Sequence, residues 1–382
     1  MRKSSFCSLL TALLFCFSEV KSQDFIAVDS LKINQIQTLG SHNSYHQRAN
    51  KFMLRFMKGL NAVAPKDFKP KDLDYAHEPL FVQLDSFHLR SFEIDIYADP
   101  KGGQFYKRIK NNLLGKPKAS NIAALKEPGF KVMHIPDIDY NTHYYTFKSM
   151  LADFKKWSDA HPTHLPIYIM IECKEETLAD KIKKLHFTPS VKFTPELCDA
   201  LDKEVKSIFG EDLANVITPD EVRDTFATLK DAVLAGNFPS VAAARGKFIF
   251  IVMQAGNTYS KNHASLKDRA MFVFASPEEP EAAFIKFDDA KAEEQQITAI
   301  VKKGFIVRTR ADGPNVQNRS GDYSQQQAAF RSGAQIISTD YYRPDIRYKK
   351  HPRRFTNYST RFSGNDIGRI NPVNVPVSKV KE

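Results

Sequence analysis

The residues of this chain best able to do chemistry are His42, His134, Asn43, Glu93, Asp95, Glu172, Lys174, Arg308 and Arg310. Two histidines suit proton transfer near neutral pH, because imidazole titrates there. Within Phe92-Glu93-Ile94-Asp95-Ile96 the acids alternate with apolar residues. An extended strand would therefore put both carboxylates on one face. Ile167-Tyr168-Ile169-Met170-Ile171-Glu172-Cys173-Lys174 alternates likewise and sends Glu172 and Lys174 to the same side. Three carboxylates in one small cavity repel unless a cation sits among them. Together with the amide oxygen of Asn43 they form an all-oxygen set, which suits Ca2+ or Mg2+ better than zinc. Each residue alone also has a plain structural reading: a satisfied histidine, a surface strand, or an ion pair of Lys174 with Glu172 or Asp95.

Those residues need a scaffold that gathers strand ends. Apolar, β-rich runs are expected as strands at Gln35–Leu39, Ser91–Tyr97, Lys131–His134, Pro166–Lys174, Lys247–Met253, Met271–Phe274, Gly304–Arg310 and Gln335–Thr339. Helical patterns lie between them at Leu80–His88, Thr146–Ala160, Pro195–Phe209, Ala292–Lys302 and Ser324–Ser332. Alternation of this kind predicts parallel α/β units, and eight strands fit a (β/α)8 TIM barrel with insertions after strands 1 and 2. The insertions are Asn50–Lys71 and Ala98–Glu127. In such a barrel the active site gathers at the C-terminal strand ends, where Ser41-His42-Asn43-Ser44, Met133-His134-Ile135-Pro136-Asp137 and Glu172 all fall.

At these residues the sequence resembles the calcium-dependent phosphatidylinositol-specific phospholipases C of bacteria. The resemblance rests on Gly40-Ser41-His42-Asn43-Ser44-Tyr45, Phe92-Glu93-Ile94-Asp95, Met133-His134-Ile135-Pro136-Asp137 and Ile171-Glu172-Cys173-Lys174. Later stretches, Phe274–Pro280, Arg308–Asp312 and Ser332–Asp340, resemble that family too. It implies a distorted TIM barrel that cleaves an inositol phospholipid to diacylglycerol and inositol cyclic phosphate. It implies His42 as general base toward the inositol 2-hydroxyl and His134 as general acid toward the leaving oxygen. Asn43, Glu93, Asp95 and Glu172 would ligate Ca2+, and Lys174, Arg308 and Arg310 would bind phosphate or headgroup. Asp137 is expected to cap a turn rather than to orient a histidine, and the role of Asp340 is open.

Composition sets the surroundings. Hydrophobic residues at 42% and charged residues at 26% exclude a disordered chain, a fibrous repeat and a polytopic membrane protein. Arg2 and Lys3 precede an apolar run from Phe6 to Phe17, and Val20-Lys21-Ser22 offers a small-residue cleavage site. Residues 1–22 are thus expected as a signal peptide, and the protein as secreted or periplasmic. Phe15 stands where a lipoprotein signal ending at Cys16 would need a small residue. Residues 23–348 are expected as the catalytic barrel and 349–382 as an irregular basic tail, with eight Lys and Arg against two acids. Beyond the leader only Cys173 and Cys198 remain, too few for a disulfide framework or a four-cysteine zinc site.

The formal charge of +11 favours an anionic partner. For an exported protein that is an anionic phospholipid surface rather than nucleic acid, and no obligate protein partner is expected. Lys51–Leu60 segregates Lys51, Arg55 and Lys58 from Phe52, Met53, Phe56, Met57 and Leu60. It reads either as an interfacial helix or as one packed on the barrel with a basic outer face. Two rivals remain for the whole chain: a glycerophosphodiester phosphodiesterase, which usually carries His-Arg-Gly where this chain has His42-Asn43-Ser44, and a non-enzymatic lipid-binding barrel.

Overall fold

The computed structural model describes residues 28–60, 69–107, 119–182, 187–313 and 316–375. The expected signal peptide therefore lies outside the described residues. Eight parallel strands form one sheet: β1 (Ile36–Ser41), β2 (Ser91–Asp99), β4 (Ile167–Cys173), β5 (Phe248–Met253), β6 (Phe272–Val273), β7 (Phe284–Lys286), β8 (Ile306–Arg310) and β9 (Ile336–Thr339). Their order is β6-β5-β4-β2-β1-β9-β8-β7. A single parallel bridge, Phe274 to Phe284, joins the two ends and all but closes the sheet into a barrel. The runs are near-continuously apolar because a parallel sheet covered by helices is buried on both faces. All six residues of β5, Phe-Ile-Phe-Ile-Val-Met, are buried.

Two expectations about strands are corrected. The run placed at Lys131–His134 is β3 (Gly129–Val132), and it pairs antiparallel with β2. It is an outlying ribbon, so His134 sits two residues past it, on a loop. The eighth barrel strand is instead β7, three residues long within the short apolar run that starts at Ala282. In the tail, β10 (Gly368–Ile370) pairs antiparallel with the start of β1, and Tyr358 is buried with its hydroxyl donating to the carbonyl of Ala311 at 3.0 Å.

The helices follow their local signals. Phe147–Ala160 starts at Thr146, whose hydroxyl accepts from the Ser149 amide. Pro195–Phe209 has Thr194 as its cap and Pro195 as its first residue, and it stops at Gly210 with φ of 91°. Ala290–Lys302 and Ser324–Arg331 pack on each other and cover β8. Helix Lys51–Leu60 buries Met53 and Met57 against Ile138, Leu178 and Phe187, while Lys51, Arg55 and Lys58 are exposed. That is the packed arrangement, and the helix braces the loop that follows His134. Cys173 and Cys198 are buried free thiols.

Candidate functional site

The turn after β1 is built to sit against β2. Gly40 pairs with Ser91, and a Cβ at Gly40 would lie 2.4 Å from the Ser91 carbonyl oxygen, so only glycine permits this approach. Ser44 then ties the turn to Glu93 twice: its amide donates to the Glu93 carbonyl at 2.8 Å, and its hydroxyl accepts from the Glu93 amide at 2.9 Å. Asn43 adopts φ of 50°, a left-handed conformation that asparagine tolerates. The result fixes the turn that carries Asn43 against β2 at Glu93. Asp95 and Glu172 face each other in the β2–β4 register.

Glu93, Asp95 and Glu172 offer carboxylate oxygens that all lie within 4.8 Å of one another. Both oxygens of Asp95 and the Oδ1 of Asn43 are buried without a hydrogen-bond partner among the described residues. Burial, reinforced by repulsion from Glu172 and Glu93, lifts the Asp95 carboxyl well above the usual carboxylate range, and Lys174 opposes the rise. Burial also acts on Glu172, but its partner Lys174 outweighs it and lowers the group. Lys174 Nζ stands 3.0 Å from Glu172 and 3.5 Å from Asp95, the ion-pair reading of this residue. Gln254 donates to Glu172 as well. Three carboxylates at this spacing, with the Asp95 oxygens left without a hydrogen bond among the described residues, fit a Ca2+ ion, whose ligands are oxygens of this type. The donor set fits poorly to zinc, which prefers nitrogen and sulfur.

The two histidines stand at the rim, each held by its own acid. His42 Nδ1 donates to Asp340 Oδ1 at 2.8 Å, and Asp340 Oδ2 accepts from Arg310 Nη2 at 2.8 Å. Burial alone would raise Asp340, but Arg310 and His42 hold its carboxyl well below the usual range. His42 Nε2 faces Glu93 Oε1 at 3.6 Å and Arg310 Nη1 at 3.4 Å. His134 Nδ1 donates to Asp139 Oδ2 at 2.8 Å. Burial lowers the His134 imidazole below its ordinary value, with Asp139 pulling the other way. His42 and His134 keep 19% and 17% of their side chains exposed, whereas His46, which also binds Asp139, keeps none. Only the first two can meet a substrate.

His42 lines a cavity of about 400 Å3 with Glu93, Glu172, Asp288, Arg308 and Arg310, and His134 lines another of about 550 Å3 with Lys69, Lys174 and Lys192. Gln254 lines both. All nine residues singled out in the sequence thus border or underlie one region at the strand ends. Arg308 is among the least accessible of them. It is fully buried, and its guanidinium is shared among Glu93 Oε2 at 2.6 Å, Ser338 Oγ at 3.2 Å and Asp288.

Sequence reasoning passed over Asp139, His46 and Tyr75 and left Asp340 unassigned. Asp137, the nearer acid, accepts from the amide and hydroxyl of Thr188 at 2.7 and 3.1 Å and anchors the loop, in keeping with a turn role. The signal for Asp139 was present in the Pro136-Asp137 turn, which reverses the chain so that Ile135 and Asp139 pair antiparallel. That reversal returns Asp139 to His134.

Comparison with known proteins follows this geometry. The family model of Ca2+-dependent phosphoinositide phospholipase C matches residues 31–372. No curated protein matches the chain by sequence. A calcium-dependent phosphoinositol-specific phospholipase C from the Gram-negative bacterium Pseudomonas sp., in its myoinositol complex, superposes with a TM-score of 0.51 at 15% identity. The alignment covers 90% of this chain and 97% of that one. A second crystal form of the Pseudomonas protein gives 0.51 at 16% identity, covering 90% and 96%. A Ca2+-dependent phosphatidylinositol-specific phospholipase C from Streptomyces antibioticus gives 0.47 at 16%, covering 82% and 95%. At such identities the likeness to the Pseudomonas structures establishes the barrel fold.

Proposed function

Because this chain belongs to the family of Ca2+-dependent phosphoinositide phospholipases C, enzymes that use Ca2+, we propose that it cleaves phosphatidylinositol-type lipids to diacylglycerol and inositol cyclic phosphate by acid–base catalysis between His42 and His134. The observation that carries this reading is the pair of His–Asp couples flanking a carboxylate cluster in which the Asp95 oxygens and Asn43 Oδ1 have no hydrogen-bond partner among the described residues. Asp340 accepts a hydrogen bond from Nδ1–H of His42 and so leaves Nε2 as the free base directed at the site. That nitrogen removes the proton of the inositol 2-hydroxyl, whose oxygen attacks phosphorus, so no protein nucleophile is required. His134 carries a proton to the departing diacylglycerol oxygen as the P–O bond breaks. Its lowered basicity makes that proton easy to surrender. Opening of the cyclic phosphate by water reverses the two roles.

Asn43, Glu93, Asp95 and Glu172 would hold Ca2+, which when bound supplies positive charge against the phosphoryl oxygens and acidifies the 2-hydroxyl. Arg308 positions Glu93, and Arg310 holds Asp340 while presenting its other nitrogen toward the His42 edge of the cavity, where a phosphate would sit. Lys174 balances the acids beside it.

In this reading the protein is exported and works on an anionic phospholipid surface, drawn there by its basic excess and released by salt. No described helix is long and apolar enough to cross a membrane. The test is a headgroup panel of phospholipids assayed with and without EDTA, on the wild type and on His42→Ala. Inositol cyclic phosphate from phosphatidylinositol, lost with EDTA and with His42→Ala, is the expected outcome. Activity confined to deacylated glycerophosphodiesters, or activity that survives chelation, would overturn it.

A further inference from the structure

We infer that Tyr75 is a positioning residue for the cation site: its hydroxyl holds the nitrogen end of the Asn43 amide and so leaves the oxygen end for the cation. The inference rests on Asn43 being a ligand, as proposed above. An asparagine amide has one acceptor and one donor end, nearly identical in shape, and a metal accepts only the oxygen. In a nest of carboxylates the donor end has a competing use, since Nδ2 turned toward Glu93 or Asp95 would gain a charge-assisted hydrogen bond. Something must therefore hold the nitrogen elsewhere.

Tyr75 does so. Asn43 Nδ2 donates to the Tyr75 hydroxyl at 2.9 Å, while Asn43 Oδ1 is buried and unpartnered among the described residues. The tyrosine is itself well held. It is only 3% exposed, and its ring stacks on His46 at 4.4 Å between centroids and lies near-parallel to His42 at 6.4 Å. Tyr75 comes from the segment between the Asn50–Lys71 insertion and β2, apart from the strands that carry the carboxylates, and it reaches no carboxylate of the site by any described hydrogen bond. Its hydroxyl is placed by ring packing and used on Asn43.

The test is Ca2+ titration by calorimetry of the metal-stripped protein for wild type, Asn43→Ala, Asn43→Asp, Tyr75→Phe and the double variant Asn43→Asp/Tyr75→Phe. Tyr75→Phe keeps the stacked ring and removes only the hydroxyl, and thermal unfolding in EDTA checks that each variant is folded. Tyr75→Phe and Asn43→Ala are expected to raise the Kd for Ca2+ by about 10- to 100-fold, the usual effect of losing an outer partner or a ligand. A carboxylate at position 43 has no wrong end, so adding Tyr75→Phe to Asn43→Asp should change Kd by less than about twofold. If Asn43→Ala weakens binding and Tyr75→Phe does not, the inference fails and the ligand set stands. If Asn43→Ala leaves Kd unchanged, Asn43 is not a ligand, and both readings fall.

Discussion

His46 and His134 donate to the same atom, Oδ2 of Asp139, at 2.9 and 2.8 Å. Their rings meet edge-on at 5.8 Å, so neither can shift without disturbing the other's hydrogen bond. Burial penalises Asp139, yet the two imidazoles hold its carboxyl far below the ordinary range, and it stays an anion at any working pH. An anion that accepts from both donors selects the Nδ1–H form of His134 and leaves Nε2 for the reaction. Asp139→Asn would present an amide that cannot accept reliably from two N–H groups. Its kcat should fall about 100-fold or more, with KM for lipid nearly unchanged. Asp139 also opposes the lowering of His134 by burial, so its loss lowers that group further. The high-pH limb of the kcat profile, which tracks the protonated acid, should then move to lower pH. A loss under about tenfold with an unmoved limb would sink the assignment of His134 as the acid.

The His42 couple makes a separable prediction. Asp340 is shared between His42 and Arg310 through different oxygens. Asp340→Asn should cost about 1,000-fold or more in kcat, because an amide nitrogen facing Nδ1 selects the wrong tautomer. Arg310→Met leaves Asp340 on His42 but removes a cation 3.4 Å from Nε2. Losing the guanidinium that orients the Asp340 carboxylate and faces the cavity beside His42 should lower kcat/KM about 100-fold. Steady-state rates on phosphatidylinositol vesicles read both effects, and an unchanged kcat in Asp340→Asn would exclude His42 as the base.

Calcium binding should be coupled to protons. Burial and two neighbouring acids raise Asp95, so this group holds its proton to higher pH than an ordinary carboxylate. The ligand form is the anion, and Ca2+ must displace that proton as pH falls. Affinity should therefore drop with acidification, starting above the pH at which surface carboxylates titrate, and proton release should appear in calorimetry run in buffers of different ionisation heat. Asp95→Asn should abolish the release and weaken binding. Wild-type affinity that is flat with pH would contradict the assignment of Asp95 as a ligand.

Much of this site could be read before any coordinates because strand periodicity is strict. Once β2 and β4 are placed, Glu93, Asp95 and Glu172 must share the lumen face, and Cys173 must leave it. What escaped depends on contacts between distant segments. The run at Lys131–His134 is short, and nothing local distinguishes an antiparallel ribbon from a parallel member. Phe284–Lys286 is too short to mark itself. Asp137 is legible as a turn residue, but that the turn, with φ of 71° at Asp137, returns Asp139 to His134 is a contact that spacing does not announce. Tyr75 and His46 matter through ring stacking, which leaves no periodic trace. The basic edge of Lys51–Leu60 was visible, but whether Met53 and Met57 met lipid or protein depended on Leu178 and Phe187, more than a hundred residues away.

Acid should unfold the protein through histidines that take no part in catalysis. His77 lies under the site with its Nε2 donating to the His42 carbonyl at 2.6 Å, and burial pushes its imidazole down to about 3. Burial likewise lowers His164, on the far side of the barrel, to about 4. In the unfolded chain both return to about 6.5. Folded values below unfolded ones mean that the unfolded state binds more protons, so stability is full above pH 6.5 and is lost as pH falls toward 4 and then 3. Each group should cost on the order of 2 kcal/mol between pH 7 and pH 5. Urea unfolding at those two pH values checks this, with His164→Gln as the variant because it is remote from the site. That variant should show a smaller drop between pH 7 and pH 5 than the wild type, whatever its stability at pH 7. An equal drop would mean that His164 is protonated in the folded protein and that its burial is not the source of the acid sensitivity.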